Sequence, residues 1–406
     1  MDRVYLGVKT GMDKKKVLII AHHLTVGGAQ NALIATLPLI DYDKYDVTLY
    51  VRKNRMELAD KVDPRVNVIV NDDPTRYYRK PVSALLTVLQ AVSSAIGAKK
   101  AEKKLGEKLG AYIRRGMRKY ELEHYFKDKK YDVGICFFQG YTMDILADGI
   151  EADRKCAFYH SSVDEAHDFH QKAFEKMDAI VVVSPAVKPF LEQCYPSIAG
   201  KVQVIENFID ADEIIKKGGE FTVPESGDKI MLCSCGRFAD DKGFDLAAKA
   251  AARLKEKGLD FIWYFVGDGP ERPKVEAIID GLGLKDDIVL TGMQQNPYPW
   301  MKACDIFVQP SLAESYGRTI KEAMMLGTPV VATNTVGACH VLENGKKGIL
   351  TPISTQGLFE GVLKMAENRE LRKSFAGLYS LEQNQEERRE YARKISLLIA
   401  GDNNEI

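Results

Sequence analysis

A chain of 406 residues exceeds what one hydrophobic core ordinarily serves, so two domains are expected. Apolar residues make up 45% and charged residues 28%, and Lys plus Arg equals Asp plus Glu at 57 each, a balance that argues against bulk nucleic-acid binding. No stretch approaches the roughly 20 apolar residues that span a bilayer, and the N-terminus lacks a secretory apolar region. The seven cysteines include no CxxC pair and several fall in apolar runs, so buried, reduced thiols in a cytoplasmic protein are expected.

Residues 1–11 read as an extension ahead of the first strand, whose apolar run ends at Ala21. Strand-like runs follow at 47–51, 66–70, 133–138, 156–159, 180–183 and 202–205, and a second series at 230–235, 261–266, 288–290, 306–309 and 329–332. Helix-patterned stretches separate them, which implies parallel sheets covered on both faces. The polar segment after 205 marks the change of domain. The expected division is 1–209, 210–385 and a terminal helix over 386–406 returning to the first domain. Two doubly wound α/β domains then face a cleft at the carboxyl ends of their strands.

Residues 98–120 interrupt this rhythm with nine basic and two acidic residues, and Leu105, Leu109, Ile113 and Met117 recur every fourth position. The pattern fits a basic amphipathic helix touching anionic lipid, giving a peripheral membrane contact, or a solvated helix packed on the first domain.

Several loops carry candidate chemistry. Gly27 and Gly28 lie between the first strand and a helix, where backbone can approach a ligand. His160 follows a strand and points to the mouth of the cleft, where an imidazole could bond a hydroxyl or move a proton. His160, His167 and His170 beside Asp164, Glu165 and Asp168 lack a fixed metal-ligand spacing. Asp41-Tyr-Asp43 reads as a turn and Asp210-Ala-Asp212 as the linker, so no metal site is assigned. Arg237 and Lys242 share a strand-to-helix loop and could neutralise a diphosphate, or pair with Asp240 and Asp241. Gly267-Asp-Gly-Pro270 is too short for a dinucleotide fingerprint and reads equally as a tight turn. A dinucleotide-binding oxidoreductase is disfavoured, because no third glycine follows Gly28 at the right spacing and no acid ends the second strand.

The densest signal is Pro310-Ser-Leu-Ala-Glu-Ser-Tyr-Gly-Arg-Thr-Ile-Lys-Glu322. A buried strand precedes it and Gly327-Thr-Pro329 stops the helix it opens. Glu314 sits at the strand exit and Ser315, Tyr316, Gly317, Arg318 and Thr319 supply the first free amides, which favour an anion. Glu322, about one turn further, could accept hydrogen bonds from sugar hydroxyls. Anion and polyol recognition on one element suggests a sugar nucleotide.

Asn207-Phe-Ile-Asp210, Gly236-Arg237 with Lys242-Gly243, Val266-Gly-Asp-Gly-Pro270, and Glu314 with Glu322 ahead of Gly327-Thr-Pro-Val-Val-Ala332 occur in this order. Over about residues 200–350 the chain resembles the retaining glycosyltransferases of the GT-B fold, family 4. The resemblance implies donor binding by Gly28, Asn207, Arg237, Lys242, Glu314, Glu322 and the Ser315–Thr319 segment. Catalysis would fall to His160, Glu314, Arg237 and Lys242, with no cofactor and no metal. It implies transfer of a hexose-type sugar from a UDP-sugar to a glycan or lipid-linked acceptor in cell-envelope or exopolysaccharide synthesis. A sugar-nucleotide epimerase, a phosphorylase or a non-catalytic binder are the alternatives; no pyridoxal lysine segment supports a phosphorylase. Two positions depart from the family pattern. His340 stands where many relatives carry a glutamate, and Arg318 replaces an apolar residue, which leaves the sugar's identity open.

Overall fold

The computed structural model describes residues 14–25, 27–71, 117–160, 171–224 and 226–406. Seven parallel strands build the first sheet: β1 (Lys15–Ala21), β2 (Tyr45–Val51), β3 (Asn67–Val70), β4 (Lys130–Cys136), β5 (Glu151–Tyr159), β6 (Ala179–Val182) and β7 (Val202–Val204). Their spatial order is β3-β2-β1-β4-β5-β6-β7. Along β1, Val17, Ile19 and Ala21 enter one buried cluster while Leu18 and Ile20 enter the other. The period of two thus fills both faces, as a parallel sheet covered on each side requires.

The second sheet holds β8 (Ile230–Cys235), β9 (Phe261–Val266), β10 (Ile288–Gly292), β11 (Ile306–Gln309), β12 (Val330–Thr333) and β13 (Ile349–Thr351), in the order β10-β9-β8-β11-β12-β13. All pairings between these strands are parallel. Beneath the strand tips the indole Nε1 of fully buried Trp263 donates to Ser234 Oγ at 3.0 Å, and Ser234 Oγ donates to the Val308 carbonyl at 2.7 Å. Two strands and an indole are thereby fixed without an orphaned donor. The expected strands all form. β13 lies beyond them, three residues long after a glycine-containing turn, too short to show a period.

In both sheets the order reverses beside the first strand, at β1/β4 and β8/β11, and these switch points open toward one another. Three of the described helices position the site: α1 (Gly28–Thr36) after β1, α2 (Tyr141–Gly149) after β4 and α3 (Arg318–Met325) after β11. A fourth, α4 (Leu381–Ala400), is capped by Ser380, whose side chain accepts from Gln383 N. Its Tyr391, Ile395, Leu398 and Ile399 join the buried cluster of the first sheet, and Tyr391 OH shares a 2.6 Å hydrogen bond with Thr36 Oγ1. Asn384 stitches the helix to the connection between the sheets, donating to the Ile209 carbonyl at 2.7 Å and accepting from Ala211 N at 3.1 Å.

Of the basic segment, residues 98–116 lie outside the described residues, as do residues 1–11, His167 and His170. No helix among the described residues is long and apolar enough to cross a membrane. All seven cysteines are free, four of them buried.

Candidate active site

Residues just past β1, β4, β5, β6, β7, β8 and β11 line one cavity of about 440 Å³ between the two sheets. Gly28, His160, Asn207, Lys242, Glu314, Ser315, Tyr316 and Arg318 all line it, joined by Gln30, Phe138, Gln139 and Asp241. Two larger depressions, about 1090 and 780 Å³, lie elsewhere, so volume alone does not select the site. The first surrounds the amino ends of β1, β2 and β4, away from the switch points.

The Glu314 segment acts as a hub. Glu314 Oε2 accepts from Lys242 Nζ at 3.1 Å and its Oε1 accepts from Gly317 N at 3.3 Å. Lys242 also pairs with Asp241 at 3.2 Å. Burial alone would lower the Lys242 pKa, and the Glu314 and Asp241 carboxylates outweigh it, so the ammonium is held charged. Gly317, at φ 79°, turns the chain into α3. It packs so closely on Gly337 that a Cβ on either would crowd the other's backbone. The amides of Arg318 and Thr319 have no partner among the described residues, leaving the positive end of α3 open beside the cavity.

One turn along α3, Glu322 is buried at 5% exposure, and its Oε1 accepts from Arg318 Nε at 2.8 Å and Tyr298 OH at 3.2 Å. Glu322 does not line the cavity; Arg318 stands between. Arg237 is exposed and lies outside the lining, while Gly317 and Thr319 serve α3 itself, Thr319 Oγ1 donating to Gln309 Oε1 at 2.9 Å. The glycines of Gly267-Asp-Gly-Pro270 answer to a protein neighbour. A Cβ on Gly267 would strike the Gly236 carbonyl, and one on Gly269 the Phe238 backbone. Phe238 N donates to the Asp268 carbonyl at 3.0 Å, so this turn clasps the loop carrying Arg237 and Lys242.

On the facing side, the His160 ring stacks near Phe158 and tilts against Phe137, with centroids at 6.0 and 5.3 Å. Burial lowers its pKa to about 4, so the imidazole is neutral at physiological pH. Two bonds tie the halves of the cavity: Ser315 Oγ donates to the His160 carbonyl at 3.2 Å, and Tyr316 OH donates to the Asn207 carbonyl at 2.6 Å. Three residues lining this cavity each hold a buried side-chain atom with no hydrogen-bond partner among the described residues: His160 Nε2, Asn207 Oδ1 and Arg318 Nη1. Leaving such atoms unpaired costs about 1–3 kcal/mol each, and a ligand offering hydroxyls and an anion would satisfy them.

His340 does not line this cavity. Its Nε2 meets Glu206 Oε2 at 3.0 Å at the rim of the 780 Å³ depression, where the carboxylate draws the ring. Asp41 and Asp43 form the expected turn, Asp43 N donating to Asp41 Oδ1, and Asp210 caps the helix that follows it. No group of three or more His, Cys, Asp or Glu able to hold a metal occurs among the described residues. Sequence reasoning missed Gln30, Gln139 and Tyr298, whose places just beyond strand ends or near helix starts were the only hint, whereas the pairing of Lys242 with Asp241 is one of the two readings of that loop.

Residues 220–377 match the family model of glycosyl transferases group 1. The 2-deoxystreptamine glucosyltransferase of Streptomyces kanamyceticus is 35% identical over 150 residues, covering 35% of this chain and 38% of that protein. The lipopolysaccharide core biosynthesis glycosyltransferase LpsE of Rhizobium meliloti is 28% identical over 204 residues, 50% of this chain and 58% of that protein. The chain thus matches less than two thirds of the length of these relatives. Among solved structures, HepE of Anabaena, in complex with UDP and glucose, superposes with a TM-score of 0.69 at 17% identity, covering 95% of this chain and 99% of that one. Staphylococcus aureus TarM does so at 0.67 and 15%, covering 95% and 99%. The chain therefore has the GT-B fold, and its second sheet lies within the segment that matches the group 1 glycosyl transferases.

Proposed function

We propose that the protein is a retaining, metal-independent glycosyltransferase moving a hexose-type sugar from a UDP-sugar to a glycan or lipid-linked acceptor. The observation that carries this reading is the convergence of Lys242, Glu314 and the open α3 N-terminus with three orphaned polar atoms in one cleft cavity. A nucleoside diphosphate sugar supplies the matching groups: anionic oxygens for Lys242, Arg237 and the α3 amides, hydroxyls for Asn207, His160 and Glu314. Glu322, held behind Arg318 and by Tyr298, is assigned the ribose, which reaches it once the Arg318 side chain swings aside. Relatives named for lipopolysaccharide core synthesis and for a diphospho-undecaprenol acceptor support a cell-envelope setting. A cytoplasmic location fits seven free thiols.

The chemistry follows from the charges. As the bond from the anomeric carbon to the diphosphate oxygen breaks, negative charge grows on the leaving group, where Lys242, Arg237 and the helix amides stabilise it. The acceptor hydroxyl attacks the same face, and its proton passes to the departing phosphate oxygen. Neutral His160 orients that hydroxyl through Nε2 rather than taking the proton, since its pKa of about 4 makes it a weak base.

Incubation with a panel of sugar nucleotides, alongside Arg237→Ala, Lys242→Ala and Glu322→Ala, tests the reading. Donor affinity and turnover should fall in each variant, and the product should keep the donor's anomeric configuration by NMR. Full affinity and turnover in all three variants would refute the site. Donor conversion to its epimer without acceptor would instead indicate an epimerase.

A further inference from the structure

We propose that the carboxyl ends of β1 and β2 form a subsite for an anionic group of the acceptor, a phosphate or diphosphate borne next to the hydroxyl that receives the sugar. The inference rests on the transfer reading above. Lys53 and Arg55 are exposed just past β2, and neither has an ion-pair partner among the described residues. Their backbone is zipped to the loop after β1: Lys53 N donates to the His22 carbonyl at 2.8 Å, and Leu24 N donates to the Arg55 carbonyl at 2.8 Å. The cations are therefore carried by fixed backbone rather than by a free loop. His22 and His23 flank them with ring centroids 5.3 Å apart. Burial, then Lys53 and Arg52, bring the His22 pKa down to about 4, so that imidazole is a neutral hydrogen-bonding group; burial, then Lys53 and Arg55, lower that of His23 against the opposing pull of Glu57. Arg52 itself is spent: it is buried, bonded to Glu121 at 3.0 Å, and its guanidinium lies 3.9 Å from the Tyr141 ring centre.

The patch adjoins the reaction cavity by two routes. Gln30 lines the cavity while its Nε2 lies 3.3 Å from His23 Nδ1. Gln139 lines the cavity two residues before Tyr141, against which Arg52 packs. Between patch and cavity stands the start of α1, with no acidic residue in its first turn and no side-chain cap on its amides. The donor cations Arg237 and Lys242 belong to the opposite sheet, so the two cation pairs bracket the cavity. An acceptor held by its anion at Lys53 and Arg55 presents its neighbouring hydroxyls to His160.

Calorimetric titration of the full chain with inorganic pyrophosphate, at low salt, tests this. The parent should saturate at two equivalents. Lys53→Ala/Arg55→Ala should lose one, through at least about a tenfold weakening, while keeping its UDP affinity. Arg237→Ala/Lys242→Ala should lose the other together with UDP binding. Glucose 1-phosphate and farnesyl diphosphate, used as competitors for the second equivalent, distinguish a soluble sugar phosphate from a lipid-borne diphosphate. One equivalent in the parent, two in Lys53→Ala/Arg55→Ala, or displacement by neither competitor would overturn the subsite and leave the donor site standing. UDP affinity unchanged in Arg237→Ala/Lys242→Ala would overturn the donor site alone.

Discussion

Glu314→Gln should tighten UDP binding while abolishing transfer. Without ligand, Lys242 Nζ is held by Glu314 at 3.1 Å and Asp241 at 3.2 Å, and a diphosphate must displace at least the first of these to reach the ammonium. At 3.1 Å the gross attraction is about 5 kcal/mol at an effective dielectric of about 20. Desolvation of two largely buried groups, and the second carboxylate, reduce the net worth of the pair to about 1–2 kcal/mol. Removing the charge returns that amount to UDP, a gain of about 5- to 30-fold in affinity by calorimetry. The ligand-free variant loses the same interaction, and its melting temperature should fall by roughly 2–8 °C for a domain of this size. Unchanged or weaker UDP binding would show that the diphosphate does not compete with Glu314 for Lys242.

Gly243→Ala should destabilise by at least about 2 kcal/mol, since Gly243 has φ 66° and a Cβ there would collide with the Pro310 carbonyl. Chemical denaturation measures it. Gly28→Ala has nothing within 4 Å of the new methyl, so its denaturation midpoint should hold while the donor or acceptor KM rises. The His340–Glu206 pair should produce a pH window. The Glu206 bond raises His340 above 6.5, so its contribution is complete below that value and fades as pH climbs through the raised pKa. Burial pushes Glu206 up, but His340, Lys321 and Lys394 outweigh it and bring the carboxylate below 4.5, so its contribution fades as pH falls through that lowered pKa. The parent should therefore exceed His340→Gln in stability most between pH 4.5 and 6.5, by under about 1 kcal/mol because both groups are partly exposed, and chemical denaturation across pH measures it. Tyr391→Ala should cost about 3–5 kcal/mol, and hydrogen exchange should show the first sheet loosening before the second.

Much of this architecture was legible because a buried parallel strand needs apolar residues on both faces, so runs such as Val17–Ala21 and Phe261–Val266 stand out against the polar loops. His160 was legible because it directly follows such a run, and Glu314 and Lys242 because each lies on the loop between such a run and the next helix. Contacts between sheets were not. That Ser315 would reach His160, or that His340 would leave the cavity for Glu206, depends on how the two domains meet, and no local period encodes that. The role of Gly267 and Gly269 was hidden for a related reason. A glycine that admits a ligand and one that admits a neighbouring loop look identical in sequence, and here the neighbour is Gly236 and Phe238.

The placement of Tyr391, Ile395, Leu398 and Ile399 against the first sheet bears on how the protein is made. A ribosome releases β1 to β7 long before α4, so the sheet that folds first must wait with an apolar groove open along one side until almost the whole of this sequence has been synthesised. The second domain can close around its own core in that interval. The order of completion is thus the reverse of the order of synthesis, and a chain stalled before residue 381 would present that unfilled groove to chaperones, with Thr36 lacking the tyrosine that closes it.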